Sequence, residues 1–303
     1  MSLDESSSAG VLTAFVARRV GPKTAILQEA ARSARLLRSV MRPRFPTLLL
    51  ANQMAVEQLG ATGLVASWDE ARELTLGPEV RPWLLARMQR ADSTATLPLS
   101  WSTCRSESDA GCTESPYLWK LCALTQTPFE RTLFLDVDLF VLWPPLVQSL
   151  LRSTLALADV AMPLDVGRFF EPWASTPVPP LCSCMIAYGN ATSAVRQLFL
   201  GAARRLIEHM HRRTRQGDQE MIWFEWTYVQ HSLRVFPLPE EYYCPGVQLL
   251  RDNSSRAEWL NSWQGSHGTE RGRYRCKALH AHGYTEDQLA RMRGARLRER
   301  ALL

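Results

Sequence analysis

The chain has 303 residues, 46% hydrophobic and 21% charged, with a net charge of +5; this is a globular composition, which excludes disordered, collagen-like and disulfide-scaffold classes. A fold of this length buries about 75% of the surface its unfolded chain exposes, so any metal site needs a chemical rather than a structural reason. The longest apolar stretch, residues 133–151, is broken by Asp136, Asp138, Pro144 and Pro145, so no membrane span of about 20 apolar residues is expected.

Seven cysteines are too few for a disulfide framework in a chain of this length, and no pair of CxxC motifs marks a zinc site. The excess charge lies wholly at the C-terminus, where residues 251–303 hold 11 Lys and Arg against 6 Asp and Glu. Arg291, Arg293, Arg296, Arg298 and Arg300 lack interleaved aromatics and read as a solvated helix or tail, not a nucleic-acid contact. Lysine is rare: Lys23, Lys120 and Lys277 stand against 32 arginines, which draws attention to each.

In chain order, residues 12–18 read as a strand, 24–41 as an amphipathic helix stopped by Pro43, and 47–51 as a second, mostly apolar strand. Ser67-Trp68-Asp69-Glu70 has capping-box spacing and predicts a short helix after it. Residues 90–114 have no apolar period and form a long loop. Ser115-Pro116 opens a helix to about Thr125, and residues 131–135 form a strand buried on both faces. A helix near 146–152, a strand at 155–161, a proline-rich loop over 163–180, a strand at 182–188 and an amphipathic helix at 193–211 follow. Gly217-Asp218-Gln219 caps a further helix carrying Trp223 and Trp226. Strands alternating with helices predict an α/β sheet, and no internal repeat is present.

The most chemically pointed stretch is Leu133-Phe134-Leu135-Asp136-Val137-Asp138-Leu139-Phe140-Val141. A buried strand that ends in two carboxylates two residues apart directs both to one face if the chain stays extended. Two like charges so placed stay ionised together beside a cation, and oxygen ligands select a hard divalent ion. The alternative is a pair of carboxylates that caps a loop.

Preceded by Lys120-Leu121-Cys122-Ala123-Leu124 and Thr127-Pro128-Phe129-Glu130-Arg131-Thr132, this stretch resembles the corresponding segment of GT-A fold nucleotide-diphospho-sugar transferases, glycogenin-like and xylosyltransferase-like. There, a lysine-bearing helix, a Ser/Thr-Pro-Phe turn and a strand ending Leu-Asp-x-Asp occur in the same order. The resemblance implies a single α/β GT-A (Rossmann-like) domain over residues 11–284, with a mixed, mostly parallel sheet flanked by helices. A disordered 1–10 would precede it, and a basic helix or tail over 285–303 would follow.

The resemblance also implies roles. Asp136 and Asp138 would bind Mn2+ or Mg2+, and Asp136, Lys120 and Ser183 would contact the nucleotide-sugar. Ser183-Cys184-Met185-Ile186-Ala187 resembles the strand lining the sugar pocket, with Cys182 and Cys184 where the family has Asn and Gly. Asp218-Gln219 is similar to the catalytic Asp-Gln turn beside the donor sugar; a plain helix cap would look the same. Leu238-Pro239-Glu240-Glu241-Tyr242-Tyr243-Cys244 resembles "Leu-Pro-x-Glu-Tyr-Asn" without its asparagine. His280-Ala281-His282-Gly283 resembles the family's "His-x-x-Gly", which makes His280 rather than His282 the third metal ligand and favours Mn2+. The family's following Lys-Pro-Trp is absent, so its phosphate contact would fall to Arg271, Arg273, Arg275 or Lys277. Lys120 reads equally as an ordinary helix-surface lysine.

The implied activity is metal-dependent transfer, with retention, of a sugar from a UDP-sugar to a glycan, protein or small-molecule acceptor; nucleic acid is not an expected partner, and no membrane span is expected in this chain. The loops at 90–114 and 162–181 would wall the acceptor side. No basic-then-apolar leader opens the sequence, which places the chain in the cytoplasm as it stands, or in the Golgi lumen if an anchor precedes it. Two alternatives share the local pattern: a haloacid-dehalogenase-type phosphatase with Asp136 as nucleophile, and a non-catalytic GT-A interaction protein.

Overall fold

A computed structural model describes residues 9–15, 24–41, 44–91, 116–141, 143, 145–164, 181–189, 193–209, 217–229, 232–239, 242, 244–245 and 278–280. The basic tail at 285–303, the first eight residues and most of the two long loops lie outside these. Seven strands form the main sheet in the order β3(Glu70–Glu73), β2(Thr47–Ala51), β1(Ala9–Phe15), β4(Arg131–Leu135), β7(Met185–Gly189), β6(Val160–Pro163), β8(Val235–Leu238). All pairings are parallel except those of β7 with β4 and β6, so β7 alone is reversed. A second sheet has the order β5(Leu139–Val141), β10(Ala278–His280), β9(Cys244–Pro245).

Alternation along β4 divides the core. Phe134 joins Leu12, Ile186 and Tyr188 in a cluster with α4(Pro116–Leu124), α6(Ser193–His209) and α7(Asp218–Tyr228), against which α3(Gly77–Ala91) also packs. Leu133 and Leu135 face the opposite way, into a cluster with Val11, Met185, β5 and α5(Leu146–Gln148), which runs into a π turn over Ser149–Thr154. On that side, alanines of α1(Thr24–Val40) lie over Leu49 and Ala51 of β2, and α2(Gln53–Ala61), capped by the Asn52 side chain at 3.2 Å, adds Leu59. The arrangement is a helix–sheet–helix sandwich. No helix among the described residues is long and apolar enough to cross a membrane.

Several elements differ from the sequence expectations. β1 begins at Ala9, not 12, and so within the segment expected to be disordered. Its start is fixed by pairing: Ala9 and Gly10 stand opposite Arg131 and Thr132, and the Phe129 ring occupies the space a Cβ on Gly10 would need, at 2.5 Å. The expected helix after Ser67 is absent. Ser67 closes a 3-10 turn, Leu64–Ser67, and Glu70–Glu73 is the edge strand β3. Asp69 does not cap a helix; its carboxylate accepts from Thr47 N at 3.0 Å and Thr47 Oγ1 at 2.9 Å, and pairs with Arg38 and Arg44. β6 starts at Val160, not 155, because pairing with Tyr188 and Val235 on either side sets its register. β7 starts at Met185, with Ser183 and Cys184 in a turn before it.

Candidate functional site

Strand direction gathers the chemistry at one sheet edge. β4 ends at Leu135, opposite Met185, the first residue of reversed β7, so the residues after β4 and before β7 emerge side by side. The ladder continues one step: Asp136 N donates to Cys184 O at 2.9 Å. The chain then turns instead of staying extended, with Leu139 N donating to Asp136 O at 3.0 Å. The expected placement of both carboxylates on one strand face is therefore corrected: Asp136 ends the strand line and Asp138 sits on the turn after it. Ser33 of α1 holds this turn from the far side, its Oγ donating to Leu139 O at 2.6 Å.

Asp136 shares the sheet face of Phe134, toward α4, and Lys120 comes down from that helix to meet it. Its ammonium lies 5.1 Å over the Phe134 ring. It stands 2.9 and 3.0 Å from the two Asp136 carboxylate oxygens, 3.2 Å from Ser183 Oγ and 3.1 Å from Asp218 Oδ2. With its side chain 12% exposed, Lys120 is not a helix-surface lysine. An ammonium has three donors, and three protein groups surround this one. Asp218 does not behave as a plain cap either. Gly217 is the N-cap of α7 and is served by Glu220 Oε2 at 2.7 Å, while the Asp218 carboxylate turns toward Lys120. Its Oδ2 is in ion-pair range yet makes no aligned hydrogen bond. Gln219 Oε1 accepts from Ser183 N at 3.4 Å. Thus Lys120, Asp136, Ser183, Asp218 and Gln219, all singled out from the sequence, form one connected cluster.

Burial pushes the Asp136 carboxyl up to about 6; Lys120 pulls against this, and the neighbouring charges of Asp138 and Asp218 add to the rise. Burial also opposes the charge on Lys120, but Asp136 and Asp218 outweigh it and hold the ammonium well above the ordinary lysine range. Among the described residues the charges of Asp136, Asp138 and Asp218 outnumber the one ammonium, and this surplus of negative charge would favour a cation. His280 joins from the second sheet: β10 runs antiparallel to β5, and its backbone pairs with Leu139, the residue after Asp138. Among the described residues no three His, Cys, Asp or Glu side chains are grouped to hold an ion. His282 and the four basic residues between 271 and 277 lie outside the described residues.

The sequence reading missed Ser33 and the contact between Cys182 and Cys184. Ser33 carries no signal, being one serine in an amphipathic helix. Cys182 and Cys184 were visible only as departures from a family pattern, whereas in the fold their sulfurs touch, at 2.7 Å.

This is a GT-A fold with its polar cluster at the carboxyl edge of the sheet, where open α/β sheets bind ligands. No family model and no curated protein sequence matches the chain. Solved structures do. Mouse xyloside xylosyltransferase 1 aligns over 91% of this chain and 98% of its own, at 15% identity and a TM-score of 0.52. The galactosyltransferase LgtC, solved with donor and acceptor sugar analogues, aligns over 94% and 95%, at 11% identity and 0.50. The bifunctional glycosyltransferase WbbM aligns over 94% of this chain but 47% of its own, at 13% identity and 0.50. The dehalogenase-type alternative, in which the Asp-x-Asp strand opens its domain, does not describe this topology: here the motif follows the fourth strand.

Proposed function

We propose that the chain is a glycosyltransferase that moves a sugar from a UDP-sugar to an acceptor hydroxyl, with retention and with a divalent ion, Mn2+ ahead of Mg2+. The observation that carries this is the convergence of Lys120, Asp136, Ser183, Asp218 and Gln219 at the ligand-binding edge of a GT-A sheet. Fold likeness alone does not assign an activity; the cluster's chemistry is what favours a charged, hydroxyl-rich ligand.

Asp138 and Asp136 would hold the ion, with His280 as third ligand from the register neighbouring Asp138. The ion, when bound, supplies positive charge against the diphosphate that leaves the sugar. Lys120 fixes Asp136 and Asp218 before any ligand arrives, so neither carboxylate has to reorganise during transfer. Gln219 Oε1 holds the Ser183 turn in place beside Lys120.

Calorimetry with Mn2+ and UDP tests the reading. Wild-type protein should bind UDP only with the ion present, and Asp138→Asn should lose that binding by at least tenfold, the lower end of damage to a metal site. Unchanged affinity in the variant removes the ion from the site. No UDP binding by the wild type favours the interaction-module alternative.

A further inference from the structure

The geometry points to Cys182 and Cys184 as an oxidative modification site, at which a peroxide-class oxidant joins the two sulfurs and thereby releases the carbonyl that holds Asp136. Both residues are buried, at 5% and 2% exposure, and Cys182 Sγ donates to Cys184 Sγ at 2.7 Å. The Cys184 amide also points at Cys182 Sγ, at 3.4 Å. Residues i and i+2 of an extended chain stand about 6.8 Å apart. Here Ser183 and Cys184 turn instead, and β7 begins only at Met185, which folds the two sulfurs together.

What makes this pair consequential is what the same three residues hold. Ser183 Oγ accepts from Lys120 and its amide donates to Gln219, while Cys184 O accepts the Asp136 amide. Closing the sulfurs from 2.7 Å to the about 2.05 Å of a disulfide across a single intervening residue pulls that turn away from its present shape, and the turn seats the site. A soft cation is the other partner that two adjacent thiols invite, but among the described residues no third His, Cys, Asp or Glu is grouped with them to hold one.

The chemistry balances with hydrogen peroxide as oxidant. The sulfur of Cys182, the more exposed of the two, attacks one peroxide oxygen. An S–O bond forms, the O–O bond breaks, and the departing hydroxide leaves as water with the thiol proton. The Cys184 sulfur then attacks the sulfenic sulfur. The S–S bond forms as S–O breaks, and the second hydroxide leaves as water with the second thiol proton. The two sulfurs together give up two electrons, and the two peroxide oxygens gain them. A disulfide closing so small a loop gains little from chain entropy and belongs to the readily reduced class, so a thiol reductant reverses it.

The test uses the full chain treated with hydrogen peroxide, denatured, alkylated with N-ethylmaleimide and digested with trypsin. The peptide of residues 169–196 carries both cysteines. It should appear unalkylated and lighter by two hydrogen atoms after peroxide, and doubly alkylated after dithiothreitol. In parallel, hydrogen exchange at the Asp136 amide should quicken at least tenfold on oxidation and slow again on reduction. Cys184→Ser should keep the Asp136 amide at one rate with or without peroxide; Cys182→Ala serves if that variant does not fold. Double alkylation after peroxide, a sulfinic cap on either cysteine, or pairing with another cysteine overturns the site. An Asp136 amide indifferent to the bond overturns its coupling. Neither readout requires nucleotide binding, so failure here and failure of the proposed transfer are separately visible.

Discussion

Replacing Lys120 with Met keeps the length of the side chain and removes the one positive charge that, among the described residues, pairs with Asp136 and Asp218. In the wild type, Asp136 has a carboxyl raised from 3.8 to about 6 by burial, relieved in part by the ammonium. A raised carboxyl binds its proton more tightly in the folded state. Stability from this group is therefore full below about pH 4 and is lost as pH climbs through 6. At about 1.36 kcal/mol per pH unit the loss is about 3 kcal/mol. Without Lys120 the carboxyl rises further, so the loss continues above pH 6. Removing one partner of a buried ion pair costs about 3–5 kcal/mol when the remaining charge must stay ionised. The prediction is a gap between wild type and Lys120→Met of about 4 kcal/mol at pH 8, shrinking by about 2–3 kcal/mol at pH 5.5, where Asp136 can neutralise itself by protonation. Urea unfolding followed by tryptophan fluorescence in EDTA, at a series of pH values, measures it. A gap that is constant with pH, or that widens toward pH 5.5, would refute the idea that the ammonium carries these carboxylates.

Gly10→Ala should cost about 1–3 kcal/mol, because the new Cβ would lie 2.5 Å from Phe129 ring atoms, and the cost should shrink in a Phe129→Leu background; melting temperatures of the four proteins decide. Asp69 is held below its ordinary 3.8: burial works against this, but the Thr47 hydrogen bonds and the Arg38 and Arg44 charges win. Its contribution is therefore present above about pH 4 and lost as pH falls below that, so Asp69→Asn should flatten the acid limb of the stability curve; an unchanged acid slope in urea titrations would count against it.

How much of this was legible in the sequence depends on what each element uses as its signal. β2, β4, α1, α4 and α6 are continuous apolar runs or amphipathic periods with proline or a polar cap at an end, and they fall within a residue or two of expectation. β1 was misplaced because Ala9 and Gly10 pair for lack of bulk, and small residues make no apolar pattern. β3, Glu-Ala-Arg-Glu, is an edge strand held by backbone pairing to β2, and its composition mimics the first turn of a helix. Asp136 and Asp138 were readable as carboxylates that end an apolar run, whereas Lys120, Ser183, Asp218 and Gln219 were singled out through the family resemblance. Their connection through one ammonium was not readable, since the meeting of Lys120, Asp136, Ser183 and Asp218 depends on β7 running backwards.

That reversal has an evolutionary side. β6 brings Leu164 to the same sheet edge from which β7 departs, and Leu164 bridges to Leu181 there. The 16 residues between them thus start and end at one bridged pair on this edge, whereas a parallel crossover would have returned the chain to the opposite edge. Doubling such a stretch costs only about 0.6 kcal/mol in closure entropy. The register of the strands on either side is set by their own pairing and not by the length of that stretch. Selection can therefore rewrite this one stretch, in length as well as composition, without rebuilding the core whose strands Leu164 and Leu181 continue.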